Sequence, residues 1–197
     1  HAAPLMCAGI TTYSPLKHWG AGPGKKVAVI GLGGLGHVAV QLAAKMGAEV
    51  TAFGRTLAKR DDGLKLGATD YVATQDVDAM KKLRNTFDIV VSTISDGVEL
   101  DTLIGLTRPH GVVVNLGLPS DGKATFSLGR LINGNRVIAG SNIGGIPETQ
   151  EMLDFCADND VRPIVEIIPA DEINEAYDNV VNSKVRYRYV IDTSTMG

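Results

Sequence analysis

Cysteine is scarce in this 197-residue chain: only Cys7 and Cys156. Two thiols that far apart make no disulfide framework, and their scarcity suits a reducing, cytoplasmic setting. Aromatic residues are few, at 5%, with a single tryptophan. No apolar run approaches the length of a membrane span, and no signal peptide is visible. A global basic field is lacking too. The net charge of −3 advertises neither nucleic acid nor an anionic membrane as a partner. Also missing is an initiator methionine: the chain opens HAAPLMC and reads as a segment of a longer polypeptide.

What is present is rhythm. Lys26 to Ile30 (KVAVI) is continuously apolar, as suits a strand buried on both faces of a parallel sheet. Leu35, Val38, Ala39, Leu42, Ala43 and Met46 then recur at helical spacing, closed by Gly47. Further strands are predicted at 49–53, 71–72, 87–93, 111–116 and 137–140. Helices are predicted between them at 58–66, 76–85, 98–106 and 128–133. This alternation implies βαβ crossovers and a doubly wound, six-stranded parallel sheet of Rossmann type. After Gly145 the rhythm changes. A helix at 148–157, a strand at 164–168, a helix capped by Asp171 and a last strand at 187–191 read as an α+β appendage. The expected division is therefore 1–145, with 1–20 as an entry segment, and 146–197.

Gly31, Gly33 and Gly36 form G-x-G-x-x-G between a buried strand and an amphipathic helix. That context gives each glycine a purpose. Gly31 permits the tight turn, Gly33 lets backbone approach a pyrophosphate, and Gly36 lets helix and strand pack closely. The helix N-terminus offers N–H groups and partial positive charge to phosphates. A plain glycine turn, or a ligand such as S-adenosylmethionine, is the weaker reading. At the end of the second strand, an NAD-preferring protein carries an acid for the ribose hydroxyls. Here Gly54 leaves space, and Arg55, Thr56 and Lys59 supply two charges and a hydroxyl. Arginine forks phosphate oxygens and lysine acts as a point charge, so the expected ligand is NADP(H).

Other residues offer less. His1, His18, His37 and His110 have no metal-ligand spacing to Cys7 and read as surface or packing residues, with His37 ordering the helix start. Cys156 reads as a core cysteine. Asp88 and Asp96 are not an acid pair, Tyr187 and Tyr189 read as sheet packing, and no Ser-His-Asp arrangement fits.

PLMCAGITTY (4–13), AGPGKKVAVIGLGGLGHVAVQLAAKMGAEVTAF (21–53), AGSNIGGIPETQEMLDF (139–155) and INEAY (173–177) together resemble the zinc-containing medium-chain alcohol dehydrogenases. The resemblance covers essentially the whole chain and is greatest to the cinnamyl-alcohol-dehydrogenase-like, NADP-dependent aldehyde reductase branch. It implies hydride transfer between nicotinamide and a primary alcohol or aldehyde, with zinc as Lewis acid. It implies an upstream catalytic domain holding most zinc ligands, to which residues 146–197 return, and a homodimer formed through the cofactor domain.

Roles carried by the resemblance are specific. Cys7 matches a catalytic zinc ligand, and Thr11 a residue near the nicotinamide. Leu32, Gly33, Gly34 and Leu35 match the pyrophosphate loop. Thr56 and Lys59 match the 2′-phosphate grip, with Arg55 an addition. Ser92 and Thr93 fall near the adenosine. Leu116, Gly117 and Leu118, with Ser141, Asn142 and Ile143, match the stretches enclosing the nicotinamide. The chain alone is expected to bind cofactor without full catalysis, and to self-associate or be marginally stable. A stand-alone dinucleotide-binding module and a zinc-free quinone-reductase relative are the rival readings. Cys7 argues against both.

Overall fold

The computed structural model describes residues 2–197; His1 lies outside them. A helical segment leads in: α1 (Ala2–Pro4), a π-helical turn at Leu5–Gly9, and α2 (Ile10–His18). The sequence pattern marks no helix or strand in this entry segment. Cys7 instead sits in the π-helical turn, exposed. Pro15 and the β-favouring Thr-Thr-Tyr run obscure the helix locally. Packing overrides them: Ile10, Tyr13, Pro15 and Leu16 are buried, and α2 lies against later helices.

The main sheet has β1 (Lys26–Ile30), β2 (Glu49–Gly54), β3 (Asp70–Ala73), β4 (Phe87–Ser92), β5 (Thr107–Asn115) and β6 (Val137–Gly140). Their order is β3-β2-β1-β4-β5-β6, all parallel. The connecting helices are α3 (Gly36–Lys45), α4 (Arg60–Lys65), α5 (Val77–Lys82), α6 (Leu100–Leu106) and α7 (Leu128–Ile132). Two buried apolar clusters form, one on each face. Val27, Val29, Val38 and Leu42 belong to the first; Ile30, Phe53, Phe87 and Ile104 belong to the second. Covering both faces is what the uninterrupted apolar strands require.

β5 starts four residues earlier than expected. Thr107 pairs with Phe87, and the ladder resumes only at Val112 opposite Ile89. The R-P-H-G excursion between them holds His110 at φ 63°, so a turn sequence lies inside a strand.

Beyond β6 come α8 (Ile146–Asp158), β7 (Val165–Pro169), α9 (Ile173–Val181) and β8 (Arg188–Asp192). β7 and β8 pair in parallel as a separate two-stranded sheet. Asp171 does not cap α9. It sits inside a 3-10 turn, Ala170–Glu172, that leads into the helix. No helix among the described residues is long and apolar enough to cross a membrane.

Candidate functional site

The site forms at the carboxyl ends of β1 and β4, where the strand order reverses. Gly31 leaves β1 at φ +96°, a conformation that favours glycine. A Cβ at Gly36 would overlap the Gly31 carbonyl oxygen, so α3 crosses the turn in direct backbone contact. Around Gly33 nothing lies within 4 Å of a notional Cβ, leaving the loop's outer side open. The first intrahelical bond runs from His37 N to Gly33 O, at 3.0 Å. The Gly33, Gly34 and Leu35 amides precede it and stand free for an anion. These features fit a pyrophosphate. The Thr93 hydroxyl donates to the Ile30 and Gly31 carbonyls at 2.9 and 3.1 Å, and thus braces the loop from β4. Ser92 is buried at the strand end.

His37 does more than start the helix. It is fully buried. Its Nδ1–H donates to Gly33 O at 2.9 Å, and its Nε2 accepts the Ile164 N–H at 3.1 Å. Only the neutral Nδ1–H tautomer serves both contacts. Burial lowers its pKa from 6.5 to about 4.

At the end of β2 the structure corrects one expectation. The side-chain direction at Gly54 is not open space. The Tyr71 hydroxyl fills it, donating to the Thr56 carbonyl at 3.2 Å. Any side chain at position 54, an acid included, would have to displace the hydroxyl of this buried tyrosine. Arg55 and Thr56 are exposed, and Thr56 Oγ1 accepts from Ala58 N at 3.4 Å. Lys59 is half-buried and reaches across to the glycine loop, donating to Leu32 O at 2.9 Å. Its pKa is lowered, first by burial and then by Arg186. The turn and the loop, 27 residues apart, thus form one polar surface.

The tail supplies residues that sequence reasoning missed. Arg188 Nε donates to Gly34 O at 3.2 Å, and a Cβ at Gly34 would be 2.6 Å from that nitrogen. Arg188 is therefore a second cation, after Lys59, on the glycine loop. Tyr187 is not sheet packing: it precedes β8, is buried, and donates its hydroxyl to Asp62 at 2.8 Å. The R-Y-R sequence was the available signal, but its position beside residues 34–62 follows only from the fold.

On the far side of the switch point, a crevice of about 1110 Å³ opens at the ends of β4, β5 and β6. Ser92, Ile94, Asn115 and Gly140 line it. Leu116 N bonds to Ser92 O at 2.9 Å. A Cβ at Gly117 would collide with the Ile94 carbonyl. Ser141 N reaches Asn115 O at 3.3 Å. Leu118, Asn142 and Ile143 are exposed. Thr11 is buried in α2. Cys7 stands as one thiol donor, and no three His, Cys, Asp or Glu side chains come together among the described residues. The metal set implied by the resemblance is not completed within them.

A sheet ordered 321456, with a glycine turn at its centre and cations at the end of β2, defines a dinucleotide-binding protein. The chain belongs to the zinc-binding dehydrogenase family, whose pattern matches residues 34–158. It is 57% identical over 195 residues to the NADP-dependent alcohol dehydrogenase C 1 of Mycolicibacterium smegmatis, covering 99% of this chain and 56% of that protein. It is 48% identical to the aldehyde reductase YahK of Escherichia coli, over 98% and 56%. The solved structure of CAD from Helicobacter pylori, complexed with NADP(H), superposes with a TM-score of 0.89 at 40% identity. That match covers 98% of this chain and 55% of the other. The chain spans about half the length of the curated relatives it matches.

Proposed function

We propose that this chain is the NADP(H)-binding part of a zinc-dependent alcohol dehydrogenase that works mainly as an aldehyde reductase in the cytoplasm. One observation carries the reading. The end of β2 presents Arg55, Thr56 and Lys59 and no acid, and Lys59 reaches back to the glycine loop at 2.9 Å. The names of the Mycolicibacterium and Escherichia relatives support it.

When bound, the cofactor would supply the hydride, and zinc, which Cys7 would help to hold, would supply Lewis acidity. This chain's residues bind and orient. The Gly33, Gly34 and Leu35 amides, with Arg188, hold the pyrophosphate. Arg55, Thr56 and Lys59 hold the 2′-phosphate. Ser92 and Thr93 flank the adenosine side. Leu116 to Leu118, Ser141 to Ile143 and Thr11 enclose the nicotinamide. Residues 1–145 constitute the cofactor domain, and 146–197 contribute to the catalytic domain. Homodimerisation occurs through the free edge of β6, where Leu128, Ile132, Val137 and Ile146 are exposed. A primary alcohol or its aldehyde is the substrate class.

Calorimetric titration with NADPH and with NADH tests the reading. NADPH should bind more tightly, and Arg55→Ala should weaken it about fivefold, a typical loss for one exposed phosphate contact. Equal affinities would return the protein to the plain dinucleotide-binding class.

A further inference from the structure

Two acids, Asp61 and Asp62, follow Lys59 and Arg60 in the chain. Asp61 is exposed, its Oδ1 4.0 Å from Arg60. Asp62 faces the tail instead. Its Oδ2 accepts the Tyr187 hydroxyl at 2.8 Å and lies 3.3 Å from Arg186 Nε. The Tyr187 ring is held on two further sides. It stacks on His37 at 4.9 Å with an interplanar angle of 20°. The Lys59 ammonium lies 5.1 Å from its centroid, within cation–π range. One residue from the far end of the chain thus touches the helix behind the glycine loop, the cation of the specificity turn and that turn's neighbouring acid.

We infer that Tyr187 is a specificity-determining positioning residue for the cofactor's 2′-phosphate: its hydroxyl holds the Asp62 carboxylate away from the Arg55–Thr56–Lys59 turn, and its ring seats Lys59. The inference rests on the NADP(H) reading above. Lys59 is the N-cap residue of α4, and Asp62 lies in that helix's first turn, three residues on. A released carboxylate would pair with Lys59 or repel the phosphate dianion. Either effect falls on the ligand carrying a 2′-phosphate and spares the one without it.

The test measures NADPH and NADH dissociation constants for the intact protein, Tyr187→Phe, Asp62→Asn and the double variant. Tyr187→Phe keeps the stacked ring. It should weaken NADPH about fivefold to tenfold, as one misplaced charge near a phosphate does, with NADH essentially unchanged. Adding Asp62→Asn should restore NADPH binding. Should Tyr187→Phe fail to fold, Asp62→Asn alone decides: it should retain or improve NADPH affinity, and a selective loss overturns the inference. An equal loss of both cofactors in Tyr187→Phe, or no change in either, also overturns it while leaving the NADP(H) reading intact. Equal binding of both cofactors by the unaltered protein removes that reading and the inference together.

Discussion

The six-stranded sheet and the two-stranded one are built from strands of similar length, yet they live in different surroundings. All six residues of β4 are buried. In β7, Ile168 alone is buried, and Ile167 is 72% exposed. A strand between two helical layers loses water on both faces, and each buried aliphatic side chain then contributes about 1.5–3 kcal/mol. β7 and β8 have only each other. The tail is held where it meets the cofactor site: Ile164 on His37, Arg162 on Gln41, Tyr187 on Asp62, Arg188 on Gly34. These polar contacts of defined geometry add to the few tail residues, Met152, Cys156, Val161 and Tyr187, that reach the main apolar cluster. Fold stability concentrates in the sheet, and the tail instead contributes side chains to the site.

The largest test of this contrast is Gly36→Val. The new side chain meets the Gly31 carbonyl, which is backbone and cannot yield. A cost of about 3 kcal/mol is expected in denaturant unfolding, together with loss of dinucleotide binding in calorimetry.

His37 joins the two regions, and its protonation should loosen the joint. Its folded pKa of about 4 lies below its ordinary 6.5. The unfolded chain therefore binds more protons between those values, and stability rises with pH there. The contribution is complete above pH 6.5. As pH falls toward 4, about 3 kcal/mol is lost. Unfolding free energies across that range should show the slope, and His37→Gln should flatten it.

Gly54→Asp sharpens the comparison within the sheet. Converting the site toward NADH by this single change should fail, because the new Cβ displaces the Tyr71 ring. Destabilisation of about 1–3 kcal/mol is expected from overpacking. Gly54→Asp with Tyr71→Ala should not show that clash, which thermal melts would reveal. The smallest effect belongs to the tail's outer face. Ile167→Ser should shift unfolding by no more than about 0.5 kcal/mol, as exposed substitutions do, whereas Val90→Ser in β4 should cost several times more.

Much of this was legible beforehand. The apolar runs at 26–30 and 87–93 suit buried strands, and glycines at 31, 33 and 36 between strand and helix suit a close-approach turn better than a plain one. The entry helix was not legible, because Pro15 and β-branched neighbours argue locally against what burial of Ile10, Tyr13 and Leu16 enforces. The capping role expected of Asp171 failed because a 3-10 turn shifted the helix start to Ile173.

The sequence by itself determined the parallel sheet, the glycine loop and the basic turn after β2, because periodicity and glycine placement act over neighbouring residues. Only the tertiary structure decided that Tyr71 blocks position 54, that His37 is held neutral beneath Ile164, that Tyr187 reaches Asp62, and that Arg188 reaches the glycine loop. Those contacts join residues 15 to 154 positions apart. Their existence depends on how layers pack, a property no local pattern records.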